Sequence, residues 1–141
     1  MKFSDFDSRA WETDGHYYDT CIIPYSGLQG TETPPETASL LERQRDFLEL
    51  AEQPYKGRVV TYPAVQYAGP GMEAHVNELC RKVKSSGFQY VIVMSANEGL
   101  RGEKLIESDL LLCLPEIVAD SRAEVSAYVR SEIQALWQNE K

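Results

Sequence analysis

The stretch QYVIVMSA, residues 89–96, decides how this chain should fold. Its β-branched and aromatic residues at positions 90–93, followed by Met94, are typical of a strand that is buried on both faces. Similar apolar runs occupy residues 19–25, 58–67 and 109–114, and long amphipathic stretches separate most of them. Strands that alternate with helices predict an α/β fold: a three-layer, mostly parallel four-stranded sheet with helices on both faces, of flavodoxin-like or Rossmann-like type.

Capping signals indicate where two of the helices begin. Thr33 precedes Pro34, and Glu36 follows three residues after the threonine, which is a capping-box pattern with proline at the first helical position. Ser121 and Glu124 repeat this spacing at the start of the last helix. Within the second apolar run, Pro63 predicts a strand end or a bulge, because proline cannot donate to a sheet ladder.

Length and composition fit a single domain over residues 1–141. A chain of 141 residues with 43% apolar composition can fill one hydrophobic core. Residues 1–18 place aromatic side chains among acidic ones, so we expect an amino-terminal capping segment that packs these rings on the domain. The connection before the fourth run is short, which leaves the direction of that strand open.

Charge and cysteine content exclude several partners and sites. The formal net charge of -8 disfavours nucleic acid and anionic membrane surfaces, because binding either requires clustered Lys and Arg. No apolar run reaches the roughly 18 residues of a membrane span, and the acidic amino terminus is unlike a signal peptide, so we expect a cytoplasmic protein. Cys21, Cys80 and Cys113 lack CxxC spacing, so neither a disulfide framework nor a metal site is expected.

The carboxyl ends of the strands are where a parallel α/β sheet places its binding site. The loop after the first run offers Ser26, Gln29 and Thr31 as ligand-binding side chains. Its glycines have GxxG spacing, which matches neither a dinucleotide fingerprint nor a P-loop, so a glycine turn is favoured over a phosphate site. Gln66 and Tyr67 stand where NAD or FAD binding would need an acidic residue, so no cofactor is expected, and Tyr67 is a candidate for the pocket lining.

The loop after residues 89–96 holds the candidate catalytic residue. Glu98 has the chemistry of a general base or of a ligand for a ribose hydroxyl, Asn97 could orient the bound molecule, and Arg101 could supply positive charge. The alternative interpretation is a polar turn in which asparagine and glycine serve the backbone conformation alone. The sequence leaves both interpretations open.

Two classes of function follow from these observations. The first is a binding or protein-interaction module without catalytic chemistry, because no activated nucleophile stands out. The alternative is a hydrolase or transferase that acts on a neutral polar or nucleoside-like ligand at the carboxyl ends of the strands. The expected partner is a small molecule or a protein, and self-association through an edge strand or through Trp137 of the last helix is also open.

A set of turn, strand and packing residues resembles a known family. These are Tyr17, Asp19, Thr20, Ile23 and Pro24 in the first run, Lys56, Gly57, Arg58, Val59, Pro63, Ala64 and Tyr67 around the second, Gly87 before the third, and Leu112 and Pro115 at the fourth. In order and spacing they resemble the YpiF family, a domain-of-unknown-function group of Bacillus-type bacteria. The resemblance implies a cytoplasmic single-domain protein and transfers no catalytic residue.

Overall fold

A sheet between two helical layers forms the body of the protein. The computed structural model describes residues 1–97 and 100–139. The strands are β1 (Thr20–Leu28), β2 (Val59–Thr61), β3 (Val65–Tyr67), β4 (Tyr90–Ser95) and β5 (Leu110–Cys113). The α-helices are α1 (Ser8–Asp14), α2 (Pro34–Glu52), α3 (Met72–Ser85) and α4 (Arg122–Gln138). Single 3₁₀ turns occupy Phe3–Asp5, Gly15–Tyr17, Gly102–Lys104 and Leu114–Glu116.

All strand pairs in the described ranges are parallel. The order is β2-β1-β4-β5, and β3 pairs with the distal part of β1. The predicted α/β class, parallel sheet and flanking helices are therefore confirmed, and the last strand, whose direction the sequence left open, is parallel. The sheet has five strands rather than four because Pro63 divides the second run into β2 and β3.

The first strand is longer than the sequence indicated. It continues through Ser26 to Leu28, residues that we assigned to the following loop. The extension pairs with β3, since Tyr25 lies opposite Val65 and Leu28 lies opposite Tyr67. The register shifts between these pairs, and Gly27 there has a φ of 70°, which favours glycine. The end of β1 therefore depends on its pairing with β3, which is distant in the sequence.

Each face of the sheet carries its own buried core. One core joins the odd-numbered residues of β1 and β4 to α3 and to the connection before β5, and includes Cys21, Ile23, Tyr25, Val76, Cys80, Val91, Val93, Leu100 and Leu105. The other joins their even-numbered residues to α2 and α4, and includes Ile22, Phe47, Leu48, Ala51, Ile92, Met94, Val129 and Ile133. The helix after β1 and the connection after β4 consequently lie on opposite faces.

The predicted helix starts are present, with one difference in detail. At α2 the Thr33 hydroxyl accepts from the Glu36 amide (3.3 Å) and the Glu36 carboxylate accepts from the Thr33 amide (2.9 Å), which completes the capping box. At α4 the Ser121 hydroxyl accepts from the Glu124 amide (3.2 Å), but the Glu124 carboxylate accepts from the Asp120 amide (3.1 Å). At α4 the glutamate carboxylate therefore accepts from the amide one residue before Ser121, instead of from the Ser121 amide as in a regular capping box.

The amino-terminal segment packs its aromatic rings together and against Phe88. Phe6 contacts Trp11 and Tyr18 edge to face, and Trp11 also lies against Phe88. The chain start runs beside β2, where the Thr61 amide donates to the Met1 carbonyl at 2.8 Å. This segment covers the β2 edge of the sheet.

No helix within the described ranges combines the length and the apolar character that crossing a membrane requires.

Candidate functional site

The carboxyl ends of β1 and β4 form the centre of the candidate site. These strands are neighbours, while the chain segments that leave them cover opposite faces of the sheet. Such a switch point opens a crevice at the carboxyl edge of an α/β sheet. Here the Asn97 side-chain amide donates to the Ser26 carbonyl at 2.8 Å, so two of the predicted site residues meet.

A buried glutamine holds the turn that carries Asn97. The Gln44 side chain, 3% exposed on α2, donates from Nε2 to the Met94 carbonyl (3.1 Å) and accepts from the Ala96 amide at Oε1 (2.6 Å). The Ser95 hydroxyl closes the turn by donating to the Asn97 carbonyl at 2.6 Å. Sequence reasoning missed this role, because a single polar residue on a helix carries no signal of a partner distant in the chain.

Glu98, the candidate general base, and its neighbour Gly99 lie outside the described residues. The catalytic hypothesis for Glu98 therefore stays a prediction from the sequence.

A carboxylate of the chain itself occupies the amide donors of the loop after β1. The Glu32 side chain accepts from the Gln29 amide (2.8 Å) and the Gly30 amide (2.9 Å), and Gly30 has a φ of 90°. These backbone hydrogen bonds lower the pKa of Glu32. The side chains of Gln29 and Thr31 are exposed. The position where many α/β proteins bind phosphate is thus filled from within the chain.

We expect the hydrogen bonds that stabilise this loop and the start of α2 to be lost at acidic pH. Backbone hydrogen bonds lower the pKa of both Glu32 and Glu36, so their stabilisation is present above the ordinary value of 4.5 and is lost as the pH falls through the lowered values. Thermal unfolding at about pH 6 and about pH 3 measures the loss. The Glu32→Gln/Glu36→Gln double variant should show a smaller pH-dependent decrease in Tm; an equal decrease would contradict the assignment.

Arg101 follows β4 beside α3, and Tyr67 ends β3. The Arg101 amide donates to the Glu73 carboxylate at 3.1 Å, which ties the loop after β4 to the first turn of α3, while the Arg101 side chain is exposed. Tyr67 is 60% exposed on β3. Of the predicted site residues within the described ranges, the structure directly joins only Ser26 and Asn97 through a hydrogen bond.

A cleft at the carboxyl ends of β1 and β2, here called the β1–β2 cleft, has a volume of about 320 Å³. Ser26 is the predicted site residue that lines it. The remaining lining is mostly apolar, with Phe3, Pro24, Leu41, Leu48, Tyr62, Pro63 and Ala64, and its other polar members are Lys2, Gln44, Arg45, Thr61 and Gln66. The break at Pro63 was visible in the sequence, but the cavity beside that break was not.

One buried hydroxyl lies beneath this edge of the sheet. Tyr25 is fully buried on the α3 side of β1, and its hydroxyl has no hydrogen-bond partner within the described residues. Burial raises the pKa of Tyr25, so the phenol stays protonated at neutral pH. In the sequence, Tyr25 is only the last residue of the first apolar run, and nothing there indicates a buried hydroxyl.

The three thiols are poor nucleophiles in this fold. Burial raises the pKa of Cys80 to about 11 and of Cys113 to about 11, and it raises the pKa of Cys21 further. A thiol that stays protonated at neutral pH does not supply the reactive thiolate. Within residues 1–97 and 100–139, no three side chains of His, Cys, Asp or Glu are grouped so that they could hold a metal ion.

Three residues of the family resemblance, Asp19, Thr20 and Arg58, meet at the opposite, amino end of the sheet. There the Arg58 guanidinium binds both carboxylate oxygens of Asp19 (2.9 and 3.0 Å) and stacks 3.9 Å from the centre of the Trp137 ring. The Trp137 indole donates to the Thr20 hydroxyl at 2.9 Å, and Tyr55 contacts the indole edge to face. These five residues, here called the Arg58 cluster, connect α4 to the starts of β1 and β2.

Comparison with known proteins identifies a family without an assigned activity. No curated protein and no solved structure matches the chain. A family model described as "Protein of unknown function (DUF2487)" matches residues 9–135, which is most of the chain. The chain therefore belongs to the DUF2487 family.

Proposed function

We propose that this protein is a binding module that holds a neutral, polar, nucleoside-sized molecule in the β1–β2 cleft without catalysing a reaction. The proposal rests on the charges of the side chains that line the cleft. The lining contains no acidic residue, and both of its cations are already paired, Lys2 with Glu52 at 2.7 Å and Arg45 with Asp46 at 3.3 Å. The cleft volume lies near the lower end of the range of about 300–1,000 Å³ that is typical of ligand sites.

The neutral polar groups of the cleft suit hydrogen bonding to an uncharged ligand. Gln66 is exposed, while Ser26 is buried beside Pro24. Apolar side chains provide most of the remaining surface, which is the usual composition of a small-molecule pocket with a few orienting polar groups. We therefore expect Gln66 to contribute specificity and the apolar side chains of the lining to contribute most of the affinity.

An anionic ligand is disfavoured at this edge of the sheet. The amide donors that would bind a phosphate are occupied by Glu32, and the whole chain carries a formal charge of -8. An approaching anion would have to displace a carboxylate and enter a negative field. This supports a neutral ligand over a nucleotide.

The hydrolase or transferase alternative depends on Glu98. No described side chain near the cleft combines a nucleophile with an activating base, and we assign no catalytic step. The function proposed here therefore needs only the described residues of the cleft.

Nucleosides and nucleotides provide matched probes for this proposal. We expect adenosine or uridine to shift the amide NMR signals of Ser26 and Gln66, and the corresponding 5′-monophosphate to bind more weakly. Gln66→Ala should weaken nucleoside binding by about two- to tenfold, the value of one hydrogen bond. Gln138→Ala, an exposed glutamine on α4, is the control and should leave binding unchanged.

Two results would contradict the proposal. The first is tighter binding of the monophosphate than of the nucleoside, which would indicate an anion site. The second is the absence of shifts at the cleft with either nucleoside at millimolar concentration.

Within the DUF2487 family, we infer that the chain falls in the YpiF group. The inference rests on the order and spacing of the turn, strand and packing residues quoted above. Asp19, Thr20 and Arg58 of that set belong to the Arg58 cluster, which supports a structural rather than a catalytic reason for their spacing.

A further inference from the structure

Another cavity, here called the α2–α4 groove, lies between helices α2 and α4 and has a volume of about 420 Å³. It shares no lining residue with the β1–β2 cleft. The apolar part of its lining consists of Phe47 and Leu50 of α2, Val125 of α4, and Leu114 just after β5. Phe47 is buried and the other three are half-buried, so apolar surface stays accessible between the two helices.

The charged part of the lining contains more free cations than free carboxylates. Glu42, Arg43 and Asp46 come from α2, and Arg122 comes from the first turn of α4. Asp46 is paired with Arg45 at 3.3 Å. Neither Arg43 nor Arg122 makes a salt bridge or a side-chain hydrogen bond with any residue in the described ranges, and Glu42 has no cationic partner there. Two free guanidinium groups therefore stand against one free carboxylate.

The spacing along the helices places each free guanidinium beside the apolar lining. Arg43 precedes Phe47 by four residues, and Arg122 precedes Val125 by three, so each pair shares one face of its helix. A molecule that covers the apolar side chains of the groove therefore has an arginine within reach on either helix.

We propose that the α2–α4 groove binds an apolar molecule that ends in a single carboxylate, such as a medium-chain fatty acid. A guanidinium group presents a planar fork of donors that matches a carboxylate, and the apolar lining suits a hydrocarbon chain. Glu42 and Asp46 line the same groove and repel a doubly charged group more strongly than a singly charged one. A monocarboxylate is therefore favoured over a phosphate ester.

The net charge of the chain and the local charges of the groove act on this ligand in opposite directions. The formal charge of -8 repels any approaching anion, but at about 0.1 M salt this effect is screened beyond about 10 Å. The two guanidinium groups act at contact distance, where charge-assisted hydrogen bonds are strongest. In the β1–β2 cleft both cations are already paired, so the two cavities should select different ligands.

Calorimetric titration of the full chain with octanoate tests the proposal, with octanol as the uncharged molecule of equal chain length. Octanoate should bind with a Kd of about 1 mM or below. Octanol should bind at least about threefold more weakly, because it lacks the charge that the guanidinium groups recognise. Decanoate should bind more tightly than octanoate, by up to about fourfold for each methylene that the groove buries.

Substitutions that each remove one charge make the test specific to this groove. Arg43→Gln and Arg122→Gln should each weaken octanoate binding by about two- to fivefold, whereas Glu42→Gln should tighten it because a repelling carboxylate is lost. Arg130→Gln is the control, since it changes the net charge equally on the same helix as Arg122 but lies outside the lining. Thermal unfolding verifies that each variant is folded.

Three results would overturn the proposal. The first is no binding of octanoate at concentrations up to about 10 mM. The second is octanol binding as tightly as octanoate, which would indicate a purely apolar groove. The third is weaker binding in Glu42→Gln, which would indicate a zwitterionic ligand. The test is independent of the β1–β2 cleft, because Gln66→Ala should leave octanoate binding unchanged.

Discussion

Replacement of Trp137 by alanine should lower the free energy of unfolding by about 3–5 kcal/mol, the range for truncation of a large packed aromatic side chain. The indole contacts Arg58 on one face and Tyr55 at its edge, and it donates to Thr20. Loss of the indole leaves a cavity between α4 and the sheet. It also removes the ring on which the Arg58 guanidinium stacks while that group is bound to Asp19. Urea denaturation followed by far-UV circular dichroism measures the change.

Two further variants separate the contributions of the indole. Trp137→Phe keeps much of the ring packing but loses the hydrogen bond to Thr20, so we expect a smaller loss of about 1–2 kcal/mol. Tyr128→Ala removes an aromatic side chain that is 44% exposed on the same helix and should change stability by less than about 0.5 kcal/mol. If Trp137→Ala and Tyr128→Ala had equal effects, the Arg58 cluster would not be what holds α4 in place.

Gln44→Ala is the second variant with a large expected effect, about 1–3 kcal/mol. The substitution leaves the buried Ala96 amide without its partner, whereas the Met94 carbonyl keeps its place in the β1–β4 ladder and loses only the contact with the glutamine. Because these groups begin the turn that carries Asn97, amide hydrogen exchange should accelerate at Ala96 and Asn97 more than in the centre of β4. Exchange mass spectrometry with peptide resolution measures this local effect.

Arg43 provides the matched control for Gln44. It is the preceding residue on α2 and its side chain is exposed, so Arg43→Ala should leave both stability and exchange within about 0.5 kcal/mol of the wild type. Uniform acceleration along β4 in Gln44→Ala would indicate general loosening of the sheet. That result would contradict a specific role for Gln44 in holding the turn that carries Asn97.

Local patterns were sufficient for several element boundaries of this fold. The starts of α2 and α4 follow from Thr33 and Ser121 because a cap acts within one helical turn. The division of the second run follows from Pro63 because a missing amide interrupts a ladder at that residue. The end of β1 did not follow, since its extension depends on pairing with β3.

The candidate site was predictable in location but only partly in composition. The alternation of strands and helices indicated the carboxyl edge, where Ser26 and Asn97 do meet. The β1–β2 cleft was not predictable, because its lining combines the chain start, α2 and the break after β2. Glu98 lies outside the described residues, so its role stays a sequence prediction.

The sequence by itself determined the α/β class, the helix starts and the poor match to phosphate and dinucleotide sites, because periodicity, caps and motif spacing act over a few neighbouring residues. Only the tertiary structure decided which groups meet: Trp137 with Thr20, Gln44 with Ala96, and Glu32 with the amides that a phosphate would use. The first two contacts join residues far apart in the chain, and the third depends on how the loop bends. Their geometry follows from how the helices pack on the sheet, which local patterns do not specify.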